Sequence, residues 1–178
     1  METTEPATLE EVRDPVGKRY WPGYKGRDGE RTPMQWTNGM NAGFTTGMPW
    51  LKVPPSACER NVEAELADPS SILNFYKRLI RLRRASPALL DGDYLNIGND
   101  PHIFAYRRRS PTQTMIIALN MSGENRSLRL DEAALENTDG ASLLRVRLSN
   151  LRADEQTFDG RVLSLAPYEA VVLEVAAR

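Results

Sequence analysis

The strongest constraint on how this chain can fold is a change of texture part-way along it. Residues 1–68 hold seven of the 12 prolines, seven of the 12 glycines and all three tryptophans. They show neither a sustained 3.6-residue nor a 2-residue apolar period. A stretch of that length without regular structure is a shaped functional loop, or one that leans on a scaffold supplied from elsewhere. A helix is predicted next, over 69–86: Asp68 or Ser70 is placed to cap it and Pro69 suits its first turn. Ile72, Leu73, Tyr76, Leu79 and Ile80 recur on one face, and Pro87 ends it. From about residue 93 the period becomes two. Segments 94–97, 103–107, 115–121, 127–130, 143–148, 161–165 and 170–175 read as seven short strands between turn-rich connections. Over residues 87–178 that pattern predicts an antiparallel sandwich, and for the whole chain an α+β fold.

Composition removes several classes of function. Charged residues are 26% of the chain and the formal net charge is -1, so no field is present to gather nucleic acid or coat an anionic membrane. No apolar run reaches the ~18 residues of a membrane helix, and the start, Met-Glu-Thr-Thr-Glu-Pro, lacks the basic-then-apolar order of a signal peptide. A cytoplasmic location is the expectation. One cysteine, Cys58, and one histidine, His102, form neither a disulfide framework nor a zinc cluster, and no cofactor is called for.

The segment richest in chemistry is Gly26-Arg27-Asp28-Gly29-Glu30-Arg31-Thr32-Pro33-Met34-Gln35-Trp36, followed by Asn41-Ala42-Gly43-Phe44-Thr45-Thr46-Gly47 and Pro49-Trp50. Planar guanidinium groups that can reach hydroxyls, carboxylates that fix them and aromatic faces for a pyranose ring are what a carbohydrate site needs. A structural loop pinned by Arg–Asp pairs would carry the same residues, so composition alone leaves both readings open.

That string resembles the segment after the eighth barrel strand in glycoside hydrolase family 13. It is most similar to the α-glucosidase, oligo-1,6-glucosidase and sucrose isomerase branch. The resemblance runs through Asn61-Val62-Glu63-Ala64-Glu65 and 68–83 and covers residues 16–120 well, the remainder in outline. It implies the loop (1–68) and last helix (69–86) of a (β/α)8 barrel, then a C-terminal antiparallel β-sandwich (87–178). It also implies that Arg27 reaches the terminal glucose of an oligosaccharide and pairs with an upstream Asp. Asp28 and Arg31 would support it or touch the following sugar, which makes these three the substrate-binding candidates. Trp36, Phe44 and Trp50 would be packing before they are site wall.

The family's motifs for its nucleophile, acid/base residue and third Asp, its Asp-x-x-x-x-His segment and its calcium loop do not occur in the chain. No catalytic and no metal-ligating residue is therefore assigned. The expected role is the C-terminal part of an α-glucosidase-like hydrolase, inactive alone, with the N-terminal barrel portion as its partner. A carbohydrate-binding or scaffold module, or the same part of a trehalose synthase or sucrose isomerase, are the alternatives. Glu63 and Glu65 read as surface or cap residues. Arg107-Arg108-Arg109 reads as a solvated edge strand, and Asn120-Met121-Ser122 matches a glycosylation pattern without secretory context.

Overall fold

A computed structural model describes residues 4–135 and 143–176. The chain divides into two compact units, residues 1–75 and 76–178.

The first unit is built from short helical turns. These are α1 (Pro15–Tyr20), 3-10 turns at Asp28–Glu30, Met40–Gly43 and Pro55–Cys58, and α2 (Val62–Ala67). The first turn of α3 (Ile72–Ala85) completes it. The segment that reads as loop is therefore partly helical. One or two turns are too short to show a 3.6-residue period, and polar side chains rather than an apolar face hold them. Asn61 shows how. Its Oδ1 accepts from Ala64 N at 2.9 Å to cap α2, while its Nδ2 donates to Ala57 O at 2.9 Å.

The start of α3 differs from expectation in its cap. Ser71 accepts from Asn74 N at 3.1 Å, and Glu65 accepts from Leu73 N at 3.0 Å. Asp68 is occupied with Ser70, whose N–H and hydroxyl it accepts at 2.8 and 2.7 Å. Ser71 thus takes the capping position, and the helix begins after Pro69 rather than at it. Ile72, Tyr76 and Ile80, spaced four apart along α3, are 72%, 59% and 47% exposed, whereas Leu73 and Leu79 of the same stripe are half-buried.

The second unit carries the rest of α3, then α4 (Pro87–Asp91) and eight strands, with α5 (Glu132–Leu135) between the fourth and fifth. The strands are β1 (Asp93–Asn96), β2 (Ile103–Ser110), β3 (Gln113–Asn120), β4 (Arg126–Arg129), β5 (Leu143–Ser149), β6 (Thr157–Asp159), β7 (Val162–Leu165) and β8 (Ala170–Ala176). Six form an antiparallel sheet in the order β1-β2-β3-β8-β5-β6, and β4 pairs with β7 in a second, two-stranded sheet. Alternation puts Ile103, Ala105, Ile116, Ala118 and Leu173 on one face of the large sheet. There they meet Leu128, Leu163 and Leu165 of the small sheet, with Leu135 of α5, in a single buried cluster.

A bulge between Val146 and Leu148 shifts the register of β5 against β8. Leu144 and Val146 point into the cluster, whereas Leu148, past the bulge, pairs with Val172 outside it.

The basic run 107–109 does not lie on an edge. β2 is flanked by β1 and β3, with Arg107 opposite both Leu95 and Ile116. Arg107 is 8% exposed and donates through Nη1 to Ala133 O at 2.6 Å, and Arg108 donates to Gly92 O. Asn120 is likewise buried. Its amide donates to Glu124 O and Ala166 O and its carbonyl accepts from Ser122, so no part of it is presented as a glycan acceptor. No described helix is long and apolar enough to cross a membrane.

Candidate functional site

The site grows from two Arg-Asp dipeptides, 13–14 and 27–28, that clasp each other. Asp14 precedes Pro15, and its Oδ1 caps α1 by accepting from Val16 N at 3.0 Å. Its other oxygen accepts from Arg27 twice, from the backbone N at 3.1 Å and from Nε at 2.9 Å, with Nη2 at 3.5 Å from Oδ1. Asp28 returns the arrangement. It is 5% exposed, and its Oδ2 accepts from Arg13 N at 2.5 Å and Asp14 N at 3.1 Å.

Each carboxylate therefore satisfies backbone donors on the opposite strand of the clasp, which is how two charged groups can sit in a unit with so little regular structure.

Backbone approach is as demanding as the hydrogen bonding. Gly26 has φ +83°, and a Cβ there would lie 2.8 Å from the Asp14 Cβ. A Cβ on Gly17 would lie 2.5 Å from the Lys25 carbonyl oxygen. Gly26→Ala is accordingly expected to cost at least about 1–2 kcal/mol from the left-handed backbone alone, plus displacement of Asp14. Hydrogen exchange at the Arg13, Asp14 and Arg27 amides reads it: protection should fall there and stay unchanged in the strands. Unaltered protection would show that the clasp does not depend on this approach.

Electrostatics follow from the geometry. The Asp14 side chain is 1% exposed and that of Arg27 46%. The Arg27 guanidinium, and after it the Val16 N–H, hold the Asp14 carboxyl at about 2, well below the ordinary range, and the same pairing raises Arg27. A folded-state value below the unfolded one means that the clasp is fully present above the usual aspartate range of about 4 and is lost as pH falls toward 2. Because Arg27 is nearly half exposed, salt weakens the pair.

The three residues assigned from sequence separate by role. Arg27 is fixed along one edge and open along the other, the state of a donor able to meet a ligand. Asp28 is buried and committed to backbone N–H groups, so it shapes the clasp. Arg31 is exposed, and among the described residues its guanidinium makes no hydrogen bond or ion pair, while its N–H closes the turn on Asp28 O at 3.1 Å. Asp14, which no sequence motif singles out as a partner of Arg27, is the carboxylate that pairs with it in this chain. An Asp-Pro step before a short helix is a readable cap signal, but nothing local says that the cap also holds Arg27, 13 residues on.

Trp36, Phe44 and Trp50 are 48%, 50% and 70% exposed, so within this chain they are not packing residues. Trp50 borders a recess of about 300 Å³ with Arg13, Asp28, Thr32 and Lys52, which Arg27 and Arg31 do not line. The loop before it turns through three consecutive positive φ values, at Asn41, Ala42 and Gly43. Asn41 Nδ2 holds the turn by donating to Thr45 O and Gly47 O at 3.1 and 2.7 Å. Glu65 serves α3 as described, and Cys58 donates to Pro55 O. Among the described residues no group of three His, Cys, Asp or Glu is arranged to hold a metal ion.

Known proteins resemble this chain along most of its length. A family model described as "Alpha amylase, catalytic domain" matches residues 2–92. The oligo-1,6-glucosidase of Parageobacillus thermoglucosidasius is 38% identical over 153 residues, 85% of this chain and 26% of that protein. The trehalose-6-phosphate hydrolase of Escherichia coli K12 is 46% identical over 101 residues, 56% of this chain and 18% of the relative. Among solved structures, the trehalulose synthase of Pseudomonas mesoacidophila MX-45 superposes with a TM-score of 0.75 at 30% identity, covering 98% of this chain and 33% of its own. The chain spans about a third or less of the proteins it matches.

Proposed function

Since this chain belongs to the alpha-amylase family, glycoside hydrolase family 13, on the branch of the oligo-1,6-glucosidases and sucrose isomerases, we propose that it supplies one wall of an α-glucosidase site. The substrate class is oligosaccharides with a terminal α-linked glucose. The observation that carries the reading is Arg27, clamped by a buried carboxylate and still presenting an open edge. A guanidinium so held offers directed donors to sugar hydroxyls and gives up little freedom in doing so.

Retaining glycosidases work with two carboxyl groups ~5–5.5 Å apart, one as nucleophile and one as acid/base. The two buried carboxylates of the clasp, Asp14 and Asp28, are both consumed by backbone donors and the Arg27 pair. With the family's motifs for those residues also absent from the sequence, the reacting carboxylates come from the rest of the catalytic domain, and residues 1–86 complete that domain with its last loop and helix. Exposed Met34, Trp36, Met48 and Trp50 on the loop, with Ile72 and Tyr76 on α3, fall within the stretch matched to the catalytic domain. A seam with the remainder of a barrel accounts for them.

The purified 178-residue chain is expected to release no glucose or p-nitrophenol from maltose, isomaltose or an aryl α-glucoside. Adding the remainder of the catalytic domain should restore turnover. Activity that scales with the purified chain alone would contradict the proposal. Measurable binding of maltose or isomaltose by the chain alone would instead favour an independent carbohydrate-binding module. The likeness to a trehalulose synthase supports a second reading, in which the assembled enzyme isomerises sucrose. Analysis of the products formed from sucrose separates it from hydrolysis.

A further inference from the structure

The recess beside Trp50 is a feature that the Arg27 wall does not use, and we infer that it is a separate binding site for one neutral hexopyranose, such as free glucose. It stands apart from the wall, because neither Arg27 nor Arg31 lines it. At about 300 Å³ it lies at the low end of the ~300–1,000 Å³ of small-molecule sites, so it takes one sugar ring and not two.

The lining supplies an apolar face and unpaired polar groups together. The Trp50 indole, 70% exposed, offers a flat surface that Leu51 and Pro49 extend. Arg13 contributes a guanidinium with no side-chain partner among the described residues. Asp28 lines the recess as well. Both of its backbone donors, Arg13 N and Asp14 N, fall on Oδ2, and Oδ1 accepts no hydrogen bond among the described residues although Asp28 is 5% exposed. A buried carboxylate oxygen without a donor carries a free-energy cost that a ligand hydroxyl would remove. The half-buried Thr32 hydroxyl is likewise unpaired.

These groups disfavour a charged ligand. An anion drawn by Arg13 would meet the Asp28 carboxylate, and an ammonium drawn by Asp28 would meet Arg13. The other charged pair at the recess, Lys52 and Glu11, is already joined at 2.5 Å. A hydroxyl both donates and accepts, so neighbouring hydroxyls of one ring give to Asp28 and take from Arg13 while the C–H face of the ring lies on the indole.

Trp50 also belongs to the exposed loop at the proposed seam, so the 178-residue chain on its own is the form in which the recess is open to a titrated ligand. The test is a titration of the isotope-labelled chain with D-glucose, following the indole N–H signals of its three tryptophans. The Trp50 signal should move saturably in the millimolar range, while those of Trp21 and Trp36 stay in place. Arg13→Gln removes the guanidinium and keeps the backbone N–H on Asp28, and it should weaken binding about tenfold. Thr32→Val should weaken it severalfold, and Arg27→Ala should leave it unchanged. Maltose, with its second ring, should not move Trp50. An amide spectrum otherwise like the parent's shows that each variant is folded. A Trp50 signal that does not respond to glucose would overturn the assignment. So would maltose binding as tightly as glucose, or glucose binding that survives Arg13→Gln and Thr32→Val but is lost in Arg27→Ala, which would put the sugar on the Arg27 wall.

Discussion

Arg152→Ala is expected to destabilise the sheet unit by about 3–5 kcal/mol, because it strands a buried carboxylate. Glu169 is 2% exposed and lies in the connection between β7 and β8. Both of its oxygens are taken by Arg152, Oε1 by Nε and Oε2 by Nη2 at 3.1 Å, and Ala166 N donates to Oε2 at 2.8 Å. Arg152 Nη2 also donates to Ser164 O, and the guanidinium stands 5.7 Å over the Phe158 ring. Truncating the arginine removes all of these contacts but the Ala166 N–H and leaves the buried carboxylate without its counter-charge. Burial pushes the Glu169 carboxyl up, while Arg152 and the Ala166 N–H outweigh it, so its pKa ends below the ordinary value. The sign follows: the pair stabilises fully above the usual glutamate range of about 4.3 and is lost as pH falls through the lower folded value. Urea unfolding of the parent, Arg152→Ala and Glu169→Gln at pH 7 and at pH 4 checks both statements. The parent should lose stability on acidification and Glu169→Gln should lose less. A stability difference below 1 kcal/mol for Arg152→Ala would mean that the pair is not the keystone described.

This pair also shows what could and could not be read from the sequence. Two-residue alternation marks a strand when one face is buried, so β2, β3, β5 and β8 were legible along most of their length. Arg152 and Glu169 sit in the connections between strands, 17 residues apart, and no local pattern joins them. β6 was invisible for a different reason. Thr157-Phe158-Asp159 is too short to alternate, and it exists as a strand because Arg145, Leu144 and Leu143 lie opposite. Charge alone does not mark an edge, and the basic run of β2 lies between β1 and β3. Arg107 instead reaches past the core to the Ala133 carbonyl at 2.6 Å. In the first unit the Gly-Pro-Trp texture pointed to the site but hid its construction, since the clasp is a contact between segments 13 residues apart that only the folded backbone brings together.

Arg27 carries the largest effect on activity. Arg27→Ala in the assembled enzyme is expected to lower kcat/KM for disaccharides by roughly a hundredfold or more, the scale on which a lost, preorganised donor acts. It would also leave the Asp14 carboxylate, 1% exposed, without its guanidinium. Arg27→Lys should fall nearly as far, because an ammonium cannot keep the Nε contact with Asp14 and present a second edge to the sugar. Arg31→Lys should be milder, since Arg31 has no side-chain partner among the described residues and contributes its backbone N–H to the turn. Steady-state kinetics of the Arg27→Ala enzyme beside its melting curve is the most direct measurement. A folded enzyme that has lost two orders of magnitude in kcat/KM is the predicted result. A folded enzyme with parental kcat/KM would make the clasp purely structural and contradict the site.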